Sequence, residues 1–122
     1  AYPMPSELFR LFERNVNSKK LLDYVLCSLL LNKEVEKFGI ILSRFNLYKN
    51  SEMPRAYAEA LTALASRDPR ARSIAGYNPD LEKYFADFAS KAKQNNGPGE
   101  YSNTYWAYLF FRQIEKPDEA AN

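Results

Sequence analysis

The sequence predicts an all-α domain of antiparallel helical hairpins, a tetratricopeptide-like α-solenoid of about six helices. Three observations carry this expectation. From Asn17 to Phe45, two segments with helical apolar spacing follow one another with almost no joint, the pattern of a helical hairpin. Later segments keep the same spacing, and Asn, Gly and Pro fall between them. The 122 residues are 46% hydrophobic and 15% aromatic, which suits one core and a single domain over 1–122 and is too apolar for disorder.

Pro3 and Pro5 mark an extended start, and Ser6 caps a short helix to Arg14 with Leu8, Phe9, Leu11 and Phe12 as its apolar side. Asn15-Val16-Asn17 breaks it, and Asn17 or Ser18 caps the next. From Lys19 to Leu31 the apolar residues cover most of the helical circumference and leave Lys20 and Asp23 on a narrow polar side. That pattern predicts a helix buried between neighbours, with Cys27 a buried, inert thiol. Asn32 serves as stop and next cap. The following helix places Val35, Phe38, Ile41, Leu42 and Phe45 on one stripe, with Glu34 and Glu36 in the first turn, where they complement the helix dipole. The distance from Ser18 to Pro54 is about one tetratricopeptide unit of roughly 34 residues.

Asn46 to Met53 reads as a turn, and Pro54 suits the first position of another helix. Tyr57, Ala60, Leu61 and Leu64 form its apolar face, and its alanines allow a neighbour to approach closely. Residues 67–77 form an irregular stretch broken by Pro69 and Gly76. Asn78-Pro79 starts a helix with Leu81, Tyr84, Phe85, Phe88 and Ala92 in register, and Asn95-Asn96-Gly97-Pro98-Gly99 ends it. The closing segment, Asn103 to Gln113, carries Tyr105, Trp106, Tyr108, Leu109, Phe110 and Phe111. Its β-propensity leaves a strand as the alternative. A helix capped by Ser102, Asn103 or Thr104 fits the helical context better, and its rings then seal the open end of the solenoid. Residues 116–122 read as a frayed polar tail.

Composition excludes several chemistries. The chain has no histidine and one cysteine, so Ser-His-Asp and Cys-His systems, Cys₂His₂ zinc and an internal disulfide are all ruled out. No cofactor or metal is expected. The net charge is only +2 with both signs interspersed, which argues against nucleic acid. Arg67, Arg70 and Arg72, interrupted by Asp68, read as a solvated loop; with Arg55 they offer the alternative of clasping an acidic peptide or an anionic head group. The acid pairs Glu34/Glu36 and Asp80/Glu82 sit at helix starts, where dipole complementarity accounts for them. Gly97-Pro98-Gly99 lacks the strand and donor amides of a phosphate loop. No apolar run reaches membrane-spanning length, and no signal peptide is visible. The start at Ala1 suggests a processed product or a piece of a longer protein.

Several segments carry a resemblance. Asn15-Val16-Asn17-Ser18-Lys19, Leu22-Asp23-Tyr24 and Leu30-Leu31-Asn32-Lys33-Glu34 to Phe38 resemble a pattern in an uncharacterised family of membrane proteins from gut anaerobes. Pro54-Arg55-Ala56-Tyr57-Ala58-Glu59-Ala60-Leu61 is similar to that family's next helix, and Tyr101 to Tyr108 to its closing aromatic segment. Val16 departs from the pattern, which has proline there. The resemblance implies a tetratricopeptide-like domain at the C-terminal end of a bacterial multi-pass membrane protein, hence a place in the cell envelope. It implies no catalytic residues.

The expected work is therefore non-catalytic: protein or peptide contact, or scaffolding within a larger envelope protein, with membrane contact only through the parent chain. The concave face of a helical repeat collects side chains from successive first helices. By that geometry Lys20, Asp23, Tyr24, Arg55, Glu59 and Thr62 are the candidate contact residues. A rival reading is a small enzyme or ligand-binding domain that uses carboxylates, with a cleft lined by Tyr48, Tyr57, Tyr77 and Tyr84. A third is a one-sided aromatic patch that docks on a membrane.

Overall fold

A computed structural model describes residues 19–112, and these are all-helical, with no strand among them. Among the described residues five α-helices run in chain order: α1 (Lys19–Leu31), α2 (Val35–Phe45), α3 (Arg55–Ala65), α4 (Leu81–Asn95) and α5 (Tyr105–Phe111). Two short 3₁₀ turns, Pro69–Ser73 and Gly99–Tyr101, lie between the later helices. The helix expected over 6–14 and the frayed tail over 116–122 lie outside the described residues.

Local chemistry explains most of the boundaries. α1 stops at a left-handed Lys33 (φ 60°), with the Glu34 amide donating to the Leu29 carbonyl and the Lys33 amide to that of Leu30. Asn32 is a stop only: its side-chain amide donates back to the Ser28 carbonyl, and α2 begins after Glu34. Asn46 and Asn96 supply the left-handed residues that end α2 and α4, a conformation asparagine tolerates better than most. Asp68 accepts from the Arg70 amide at 3.1 Å, which turns part of the irregular stretch into the first 3₁₀ turn. Thr104 settles the closing segment as helix: its hydroxyl accepts from the Ala107 amide at 3.2 Å at the start of α5.

The helix buried on all sides is α3, whereas the sequence singles out α1. Every residue from Tyr57 to Ala65 is buried, with α2, α4, α5 and the first 3₁₀ turn packed around it. Ala58, Ala60, Ala63 and Ala65 make this possible, because a helix of small side chains admits neighbours on every face. α1 instead buries Leu22, Val25, Leu26, Leu29 and Leu30 and leaves Tyr24, Cys27 and Leu31 exposed as a stripe at three- and four-residue spacing. Cys27 is thus an exposed thiol, contrary to the sequence expectation: hydrophobic neighbours in the chain do not guarantee covering neighbours in space.

Two clusters flank α3. One joins α1, α2 and α3, with Phe38 edge-on to Tyr57 at 5.3 Å. The other joins α3 to α4 and α5 through Leu81, Phe88 and Trp106. Trp106 is 0% exposed, 5.3 Å from Phe85 and 5.9 Å from Phe88 between ring centroids. Phe110, expected in the same seal, is 56% exposed.

Candidate functional site

The candidate contact residues separate into three sets. Lys20 and Tyr24 lie on the exposed face of α1, and Arg55 is exposed at the start of α3. Asp23 is half-buried and bridges elements: Tyr48 and Tyr57 donate their hydroxyls to its Oδ1 at 3.2 and 3.3 Å. Glu59 and Thr62 are buried and committed within the fold, which leaves them no free surface for a partner. Thr62 donates back to the Ala58 carbonyl at 2.9 Å, as helix-interior threonines do.

Glu59 instead fastens α5 to α3. Its Oε1 accepts from the Tyr105 amide at 2.8 Å, one of the unpaired amides at the start of α5. Its Oε2 accepts from Arg55 Nε at 3.1 Å, and its backbone carbonyl accepts from the Trp106 indole at 2.8 Å. A carboxylate at a helix start also complements the dipole. The spacing of Glu59 on α3 accounts for Arg55, one helical turn earlier, but carries no trace of Tyr105 and Trp106, which lie more than 40 residues further along the chain.

The four tyrosines of the rival cleft do not converge. Tyr48 and Tyr57 are buried edge-on to each other at 6.0 Å beside Asp23, with Cys27 Sγ 3.4 Å from the Tyr57 hydroxyl. Tyr77 donates to Glu82, and Tyr84 is exposed on α4. Burial, then the Asp23 charge and hydrogen bond, push the Tyr48 phenol up to about 12. Burial and the Cys27 contact push Tyr57 further still. Both phenols are thus held protonated, as hydrogen-bond donors inside the fold. Among the described residues, no group of three or more Cys, Asp or Glu side chains is placed to hold a metal ion, and no helix is long and apolar enough to cross a membrane.

The concave surface of note lies elsewhere. An open groove of about 930 Å³ runs between α2 and the corner where α3 passes into the first 3₁₀ turn. Gly39, Ile40, Leu64, Ala71 and Ile74 give it an aliphatic floor. Gly39 lets α2 approach α3 closely beneath it, since a Cβ there would stand 2.5 Å from Leu64 Cδ2. Ile40 is 64% exposed, an apolar side chain off the buried stripe of α2.

The rim is charged. Arg67 faces Glu36 across the groove at 3.6 Å, with both side chains largely exposed. Arg70 is held by Asp68 through two hydrogen bonds, Nε at 2.9 Å and Nη2 at 2.8 Å, and this pairing keeps the Asp68 carboxyl below the ordinary carboxylate range. Arg44 lies over the Phe45 ring at 5.8 Å and makes no ion pair among the described residues. Three guanidiniums against two carboxylates leave the rim one charge positive. Of the arginines singled out in sequence, Arg67 and Arg70 reach this groove. Arg72 turns away to Glu82 at 3.1 Å, and Arg55 stays with Glu59. Ile40, Ser43 and Arg44 escaped sequence reasoning; the available signal was an isoleucine on the polar side of a helix otherwise cleanly divided.

Comparison with known proteins gives one family. The match is to the family described as "Family of unknown function (DUF6057)" and spans residues 3–112. No curated protein and no solved structure matches the chain.

Proposed function

The chain belongs to the DUF6057 family, and we propose that it is a non-catalytic interaction domain that binds a protein or peptide partner along the α2 groove. The observation that carries this reading is the groove itself: open, floored by aliphatic side chains and rimmed by guanidiniums. Such a surface suits a partner that lies across it better than a small molecule, which binds where most of its surface is enclosed. The raised phenols of Tyr48 and Tyr57 support the same reading, because they act as donors inside the fold.

The hairpins are tetratricopeptide-like in this proposal. Successive helices α1 to α4 each pack on the next, as stacked repeats do. Lys20 and Tyr24, with Tyr24 62% exposed, form a secondary contact face on α1. The sequence resemblance further supports a place in a larger bacterial envelope protein. Reading the residues that precede Ala1 in the parent transcript tests that part; a series of hydrophobic spans supports it, and their absence overturns it.

The groove is tested by co-purifying partners with the wild-type chain and with Ser43→Trp, which fills the groove without altering its charge. The expected result is a partner lost with Ser43→Trp while far-UV circular dichroism stays unchanged. A partner retained equally by both chains would overturn the assignment.

A further inference from the structure

If the α2 groove is the recognition surface, as proposed above, its chemistry also selects the class of partner. We infer that it takes a short acidic peptide segment in which aliphatic side chains alternate with carboxylates. No aromatic ring lines the groove, so it offers no stacking platform for a base or a sugar. Its floor fits leucine, isoleucine, valine or methionine, and the exposed Ile40 gains most from being covered.

The rim fixes the charge of the occupant. Arg70 is already engaged by Asp68 through two hydrogen bonds and forms a fixed wall. Arg44 has no carboxylate partner among the described residues, and Arg67 has only the long, exposed contact to Glu36. Exposed pairs of that kind contribute little and exchange readily. An incoming carboxylate can therefore engage Arg44 directly and displace Glu36 from Arg67, in the two-pronged geometry that guanidiniums favour. The α2 wall from Glu36 to Arg44 spans about 12 Å at about 1.5 Å per residue, the length of about four residues of extended peptide.

Glu36 makes the inference testable in both directions, since it competes for Arg67 with the carboxylate of the partner. A displayed library of random peptides is selected on the full chain and counter-selected on Ser43→Trp. The enriched peptides are then measured by fluorescence anisotropy. The expected pool combines Asp or Glu with aliphatic residues. Its affinity falls about threefold to tenfold in Arg44→Gln and rises about twofold to fivefold in Glu36→Gln. Groove-dependent peptides that are neutral or basic, or that bind Glu36→Gln no better than wild type, would overturn the acidic partner and leave the groove standing. Loss of every binder in the counter-selection, so that no peptide distinguishes wild type from Ser43→Trp, would overturn both.

Discussion

Trp106 carries the most severe prediction. It is fully buried, packs against Phe85, Phe88 and Tyr101 with centroids 5.3 to 6.0 Å away, and donates its indole hydrogen to the Glu59 carbonyl. Truncation to alanine loses the transfer energy of the ring and leaves a cavity, about 3 to 5 kcal/mol for a buried aromatic. The lost hydrogen bond adds about 1 kcal/mol. Phe110 lies in the same aromatic group, 5.9 Å from Phe88, but half its surface already meets water. Its truncation should cost about 1 kcal/mol. Urea unfolding of Trp106→Ala and Phe110→Ala separates the two. With a slope of about 2 kcal/mol per molar, the midpoint falls by about 2 M for the first and about 0.5 M for the second. Equal losses, or a loss below about 1.5 kcal/mol for Trp106→Ala, would refute the assignment of Trp106 as the plug between α3, α4 and α5.

Three further perturbations test other joints of the fold. Glu59→Ala strands the Tyr105 amide and should cost about 2 to 3 kcal/mol, while Glu59→Gln keeps an acceptor there and should cost about 1 kcal/mol; urea midpoints compare them. Gly39→Ala must push Leu64 aside, so the overpacking of about 1 to 3 kcal/mol outweighs the helix-propensity gain of up to about 1 kcal/mol. Thermal melting reads the net loss. Stability should also fall at alkaline pH. The Tyr48 phenol is raised from 10.0 to about 12 in the fold, with Tyr57 and Tyr105 raised further. This contribution is whole below pH 10.0, the unfolded value, and is lost as pH rises through 12. Urea midpoints taken alongside tyrosinate absorbance follow it, and a midpoint unchanged from pH 9 to pH 12 would contradict it.

The helices were legible because their ends are chemically marked. Asn46 and Asn96 take the left-handed turns, Thr104 caps α5, and the buried stripe of α2 falls where its spacing puts it. What escaped the sequence depends on neighbours distant in the chain. α1 has the more apolar sequence, yet α3 is the buried helix, because small alanines let other helices approach while Tyr24 and Leu31 find no cover among the described residues. Glu59 carries the charge and spacing of a surface residue. The return of α5 engages it, with the Tyr105 amide donating to its carboxylate and the Trp106 indole to its backbone carbonyl. The groove was partly visible: Arg67 and Arg70 stood out as a basic run, but nothing local joined them to Ile40 and Arg44 on α2.

The most direct test of the recognition groove is site-specific photo-crosslinking in the native cell, with the reactive side chain placed at Ser43 in the groove or at the exposed Tyr84 on α4. The expected result is a discrete adduct from Ser43 that is absent from Tyr84 and is suppressed when the groove peptide is added in excess. Adducts of equal yield from both positions, or from Tyr84 alone, would contradict it.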